Sequence, residues 1–208
     1  MGVNETTVGE FLAAVAAPTP TPGGGSASAL AAALSVALSR MVAGLAKDRK
    51  GYEAVQAALA DVEARGAPLQ ARLATLADED ARAYQAVLDA MRLPRATDAE
   101  RATRVARMQA AYAGAVRPPL ETVRLGVEAL GLAEVAAEKG NRAASTDAGV
   151  AVLLADAAIR GATLNCRVNL SSIRDEGFRT RTEADLEALL ARAEPIRQRA
   201  MGLVEGRL

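Results

Sequence analysis

The sequence contains no histidine, no tryptophan and a single cysteine. Without histidine, the Ser-His-Asp and Cys-His schemes of nucleophilic catalysis are excluded outright. Zinc sites built on histidine go with them, because Cys166 alone cannot replace the missing ligands. Nor can that cysteine form an intrachain disulfide, which fits a reducing, cytoplasmic setting. Lysine is scarce, standing only at positions 47, 50 and 139, whereas arginine is abundant and does not titrate usefully. Acid–base work therefore falls to carboxylates, lysine, tyrosine or the substrate itself. The 25 basic and 25 acidic residues cancel, so no net field draws nucleic acid or anionic lipid. Met1 to Glu10 has neither a basic n-region nor a hydrophobic core, so no secretory signal is expected there.

Half of the residues are apolar but only 2% are aromatic, so the core must be built from alanine, leucine and valine. That composition favours helices at close spacing over a sandwich or barrel. The stretch around which the chain is organised is Pro18-Thr-Pro-Thr-Pro-Gly-Gly-Gly-Ser26 with the run Ala27 to Ala46. Its prolines hold the approach extended, and its glycines admit backbone approaches that a Cβ would block. Ser26 suits the N-cap or first turn of the helix that follows. A glycine-rich loop entering a helix presents unpaired N–H groups, a geometry for a carboxylate, a phosphate or a polarised heterocycle. On that helix Leu30, Leu34, Leu38, Met41 and Leu45 form an apolar stripe, and Ala29, Ala33 and Ala37 a smooth second row. Arg40 and three serines interrupt the run, which argues against a membrane span.

Residues 4–17 read as a short amphipathic helix capped at Thr6 or Thr7, with Glu10 completing a capping box. Lys47 to Gly51 is a charged turn, and Tyr52 to Leu93 is mostly helical, to be kinked or divided at Gly66 and Pro68. Thr97 with Glu100 opens a helix towards Val116, Pro118-Pro119 breaks it, and Leu120 to Glu138 is helical again. Lys139-Gly140-Asn141 is a turn. Ser145 to about Ser172 is a long helix with Val150, Leu153, Leu154, Ala157, Leu164, Val168 and Leu170 inside; Thr182 caps a last one from Glu183 towards Leu203. The expected fold is an all-α multihelical bundle, one domain over residues 1–208. It is expected to dimerise, because the alanine-rich rows leave more apolar surface than a thin bundle covers.

Several polar groups stand at helix junctions or against the core pattern. Asp80 follows Asp78 and Glu79, a run that can be a solvated face. Asp147 lies in the first turn of an apolar helix, where a carboxylate also serves the macrodipole. Asn165 and Asn169 are one turn apart and can bond between helices, and Lys50 suits a helix C-terminus.

Together these stretches resemble the cyclodeaminase/cyclohydrolase family of folate enzymes. The match is carried by Pro22-Gly-Gly-Gly-Ser26, Met41-Val42, Arg49-Lys50 with Tyr52, Asp80 with Ala83-Tyr84, and Met91-Arg-Leu-Pro94. Thr97, Pro119-Leu120, Gly140-Asn141, Ser145 to Val150, Asn165, Asn169-Leu170 and Asp175-Glu176 before Phe178 continue it in the family's order. The resemblance implies a helical homodimer with a folate, with or without a polyglutamate tail, bound near the subunit interface on the glycine loop. It implies chemistry on the one-carbon unit between N5 and N10 of tetrahydrofolate, with no metal and no separate cofactor. Formiminotetrahydrofolate cyclodeaminase is the first reading, with a separate formiminotransferase as the partner that it implies. Methenyltetrahydrofolate cyclohydrolase is the second, and a non-catalytic dimerisation module the third. On this resemblance Lys50, Asp80 and Asp147 are the candidate catalytic residues. Pro22, Gly23, Gly24, Gly25, Ser26 and Asn165 are the candidate substrate-binding residues.

Overall fold

The computed structural model describes residue 2 and residues 5–208. Six helices follow one another: α1 (Val8–Ala16), α2 (Gly24–Gly44), α3 (Gln56–Met91), α4 (Asp98–Lys139), α5 (Ser145–Leu170) and α6 (Glu176–Glu205). Short 3-10 turns precede α3 and α5, and there is no strand among the described residues. Asn4, the expected start of the first helix, lies outside the described residues. The cap of α1 is Thr7, whose hydroxyl accepts from Glu10 N at 3.2 Å while Glu10 Oε2 accepts from Thr7 N at 2.7 Å. The same reciprocal box at Thr97 and Glu100 opens α4.

The centre of the molecule is α2, held among α3, α4 and α5. Its leucine stripe is largely exposed: Leu34 is 57% exposed, Met41 and Leu45 also face outward, and Leu30 and Leu38 are half-buried. The core takes Ala29, Ala32, Ala33, Val36 and Ala43 instead. Small side chains win this position because three long helices must approach one axis closely; a Cβ on Gly161 of α5 would lie 2.5 Å from Ser28 Oγ. Helix α5 is inverted in the same way. Val150, Leu153, Leu164 and Val168 are exposed and Ala157 faces solvent, while Ala151, Val152, Ala155, Ile159 and Ala162 are buried. By length and hydropathy α2 and the stretch 142–170 could each cross a membrane, but half of each window is buried in this core. Leu73, Leu76, Leu130 and Ile159 complete it from α3, α4 and α5, each contributing on the order of 1.5–3 kcal/mol by burial.

Helices α3 and α4 run without division, although a kink or division was expected at Gly66 and Pro68 and a break at Pro118-Pro119. Packing holds α3 together at Pro68: Gly66, one half-turn earlier, lies so close to Arg40 that a Cβ there would meet its Cγ at 2.8 Å. In α4, Pro119 has no N–H for the carbonyl of Ala115, four residues back. That carbonyl is instead bonded by Asn169 Nδ2 of α5, at 3.0 Å. Asn169→Leu is expected to cost about 1–3 kcal/mol, because it strands a carbonyl largely shielded from water. Adding Pro119→Ala should return most of that loss by restoring the helical donor. Urea unfolding of the single and double variants measures both effects, and equal stability of the two variants would remove Asn169 from this role.

Helix α6 starts seven residues before the expected Glu183. Asp175 Oδ1 accepts from Phe178 N at 2.9 Å and caps it there, while Thr182 is buried inside the helix. At the far end of α2 the chain turns through Asp48 and Gly51, both with positive φ. Asn141, after α4, donates from N to Val42 O at 3.2 Å and from Nδ2 to Leu45 O at 3.0 Å. Gly140 is needed there for space, since a Cβ would lie 2.5 Å from Val42 Cγ1. The end of α4 and the start of α5 are thereby clamped to the C-terminal end of α2, and α5 runs antiparallel to α2.

Candidate functional site

The N-terminal end of α2 is capped from another helix. Its N-cap is Gly23, which has no side chain to offer, and Ser26, a candidate cap in the sequence, sits inside the first turn. Ser26 is fully buried and its hydroxyl donates to Ala77 O of α3 at 2.8 Å. The same Oγ lies 3.3 Å from Asp80 Oδ2. The Ser26 amide also bonds the Asp80 carboxylate, so a side chain from α3 occupies the positive end of α2. Gly25 makes this approach possible: a Cβ on it would stand 2.2 Å from Asp80 Oδ1.

Asp80 is thus the anion that the helix end attracts. Of the three ligand chemistries suggested by the loop, an external carboxylate or phosphate has lost its place and the polarised heterocycle remains. Burial raises the Asp80 pKa above the ordinary carboxylate value, against the lowering pull of the Ser26 hydroxyl and amide. A carboxyl tuned upward in this way is better matched to proton transfer near neutral pH than an exposed aspartate. Its neighbour Glu79 is spent on structure, sharing Arg72 with Glu121 of α4.

A cavity of about 120 Å³ opens beside Asp80, between the proline-glycine loop, α3, α4 and α5. Asp80 is the one charged residue that lines it; Gly23, Gly24, Gly25 and Asn165 line it as well. Asn165 Nδ2 donates to Gly161 O at 2.8 Å, one turn back in its own helix. Pro22 follows a cis peptide bond in the loop. Tyr84, Val168 and Asn169 also line the cavity and were not among the expected site residues. Tyr84 was findable, being four residues after Asp80 and so on the same face of α3.

The structure does not bring Lys50 or Asp147 to this cavity within one chain. Lys50 is exposed in the turn that follows α2, and Asp147 is half-buried in the first turn of α5. Both stand at the opposite end of α2, roughly 30 Å from Asp80 along a helix of 21 residues. Asp147 forms no hydrogen bond or ion pair among the described residues. Near it, Tyr52 Oη accepts from Arg142 N at 3.1 Å. A single chain therefore presents two separate groups of candidate residues, one at each end of α2.

A larger apolar groove of about 660 Å³ runs between α1, α2 and α3. It lacks an available acid or base: Arg40 is held by Glu63 at 2.6 Å and by Gln70 at 2.7 Å. The smaller cavity, by contrast, has the Asp80 carboxyl on its lining. About 120 Å³ is well under the ~300–1,000 Å³ of a complete small-molecule pocket.

Residues 7–188 match the family described as Formiminotransferase-cyclodeaminase. The chain is similar to the methenyltetrahydrofolate cyclohydrolase of Methylorubrum extorquens, 39% identical over 208 residues that span the whole of both proteins. It is 32% identical over 207 residues to the formimidoyltransferase-cyclodeaminase of Gallus gallus, covering 99% of this chain and 38% of that protein. A crystal structure of formiminotetrahydrofolate cyclodeaminase from Thermotoga maritima superposes with a TM-score of 0.88 at 29% identity, over 98% of each chain.

Proposed function

The chain belongs to the formiminotransferase-cyclodeaminase family, whose members act on folate one-carbon units, and from that premise we propose that it hydrolyses 5,10-methenyltetrahydrofolate to 10-formyltetrahydrofolate. One observation carries the choice of reaction: the 39% identity to a cyclohydrolase runs end to end through both chains. This reverses the order of preference drawn from sequence. Deamination of 5-formiminotetrahydrofolate is the second reading, favoured by the match over nearly full length to the Thermotoga maritima cyclodeaminase.

In the proposed reaction water adds to the methenyl carbon and Asp80 takes its proton. The product is a neutral tetrahedral aminal. Asp80 returns the proton to N5 as the C–N5 bond breaks, and the hydroxyl proton leaves to solvent as the formyl C=O forms on N10. One water is consumed and one proton released, balancing the positive charge of the substrate. The Asp80 carboxylate also faces the charged carbon before attack, and Asn165 with the Gly23 to Ser26 turn positions the heterocycle beside it. In the second reading N10 attacks the formimino carbon, the N10 proton passes to the imino nitrogen, and the same carboxyl gives that nitrogen one further proton as its C–N bond breaks, releasing ammonia and the 5,10-methenyl cation.

We further propose that the enzyme is a homodimer through the exposed apolar face of α2 and α5. Leu34, Met41 and Leu45 are exposed along one stripe of α2 and Leu153, Leu164 and Val168 along one stripe of α5, apolar side chains that such an interface would cover. A twofold axis perpendicular to α2 and through its middle would set the Asp80 end of α2 in one copy against the Lys50 and Asp147 end in the other. The two half-sites then form one, with Lys50 placed for acid–base work or for the glutamate tail. Light scattering should give twice the chain mass, and a stable monomer at micromolar concentration would exclude this arrangement.

The activity is tested by following the methenyl chromophore with purified protein. Loss of absorbance from 5,10-methenyltetrahydrofolate well above the spontaneous rate is expected. Appearance of absorbance from 5-formiminotetrahydrofolate with little hydrolysis would select the second reading, and neither change would exclude both.

A further inference from the structure

The chain has five aromatic residues, and four have a place outside the catalytic cavity. Tyr112 and Phe178 pack on the core, Tyr52 holds Arg142, and Phe11 lines the apolar groove. Tyr84 is different. It is 38% exposed, makes no hydrogen bond among the described residues, and lines the cavity one helical turn beyond Asp80. Val168, 63% exposed, lines the same cavity from α5.

The amides beside it are fixed in orientation. Asn165 spends one Nδ2 hydrogen on Gly161 O and Asn169 spends one on Ala115 O, a carbonyl that Pro119 leaves without its helical donor. Neither amide can flip without losing that bond, so both Oδ1 atoms are held as acceptors. Within one chain Asp80 supplies the negative charge, and no lysine or arginine is among the described residues that line the cavity. An aromatic face, an aliphatic side and a set of acceptors around one carboxylate make a slot for a flat, positively charged group.

We propose that Tyr84 is the stacking wall of this site, its ring lying against the planar cationic amidine between N5 and N10, and that it sets the preference for the charged substrate. This rests on the folate reading above. The ring, not the hydroxyl, is the working part, and the attraction is that of an aromatic face for a cation in a partly desolvated slot.

The test is steady-state kinetics of Tyr84→Leu and Tyr84→Phe on 5,10-methenyltetrahydrofolate, with thermal midpoints as a folding control. Tyr84→Leu should raise KM about ten- to hundredfold with a much smaller change in kcat. Tyr84→Phe should keep most of the affinity and leave the pH profile in place. An unchanged KM in Tyr84→Leu would overturn the proposal. So would a Tyr84→Phe variant as impaired as Tyr84→Leu, because the hydroxyl would then be the acting group. If a leucine variant failed to fold, the phenylalanine variant alone would still decide between ring and hydroxyl. Failure of the folate reading looks different: the wild type would turn over neither folate.

Discussion

Asp80→Asn is expected to lower turnover about 10²–10⁴-fold, the usual cost of losing one acid–base participant. The same substitution should leave the thermal midpoint at neutral pH unchanged or raise it. Asparagine keeps an oxygen to accept from the Ser26 amide, and it removes a charge that burial disfavours. The sign follows from the direction of the pKa shift. The folded state holds the Asp80 proton more tightly than the unfolded chain does, so the stability contributed by that group is fully present below the unfolded pKa. It is lost as pH rises through the raised folded value. Wild type should therefore gain stability relative to Asp80→Asn as pH falls through that window. Denaturant unfolding of both proteins across mildly acidic pH measures it; a variant with normal turnover and reduced stability would make Asp80 a helix cap and nothing more.

Gly25→Ala is expected to abolish measurable turnover by displacing Asp80. A Cβ would stand 2.2 Å from Asp80 Oδ1, and neither helix backbone can withdraw without disturbing the core between α2 and α3. Overpacking of this kind typically costs about 1–3 kcal/mol, so the fold should survive with a lowered midpoint. Combining Gly25→Ala with Asp80→Ala removes the obstructing carboxylate. The double variant should recover stability but no activity. Gly24→Ala should be milder, because its nearest contact would be Asn165 Nδ2 at 3.3 Å. Normal turnover in Gly25→Ala would show that the close approach of Asp80 to the loop is dispensable.

Much of this was legible in the sequence, for identifiable reasons. Capping boxes are local, and Thr7 with Glu10 and Thr97 with Glu100 stand where spacing placed them. Helix breaks were misread because proline at positions 68, 118 and 119 acts on a local bond, whereas packing and the Asn169 side chain are remote in sequence. On α2 both an apolar stripe and a smooth alanine row were read, and the buried side includes Ala29 and Ala33 of that row. Periodicity finds an apolar stripe but not which of two faces the neighbours cover, and in an alanine-rich protein the smaller side chains take the crowded side. The glycine loop was offered as a candidate site, yet the side chain packed against it could not be named. That Asp80 would fill the helix end depends on α3 crossing α2 at Gly25, a tertiary fact. Lys50 and Asp147 were grouped with Asp80 by the family resemblance, and one chain sets them at the other end of the molecule. A second copy is what would bring the groups together.

That two-ended site is the central claim, and subunit complementation tests it most directly. Asp80→Asn and Asp147→Asn homodimers, each stable and nearly inactive alone, are prepared separately and then allowed to exchange subunits. If each site takes Asp80 from one copy and Asp147 from the other, half of the sites in a mixed dimer are intact. With random exchange the mixture should recover about a quarter of wild-type turnover. No recovery despite demonstrated exchange, or wild-type turnover in Asp147→Asn alone, would contradict the account.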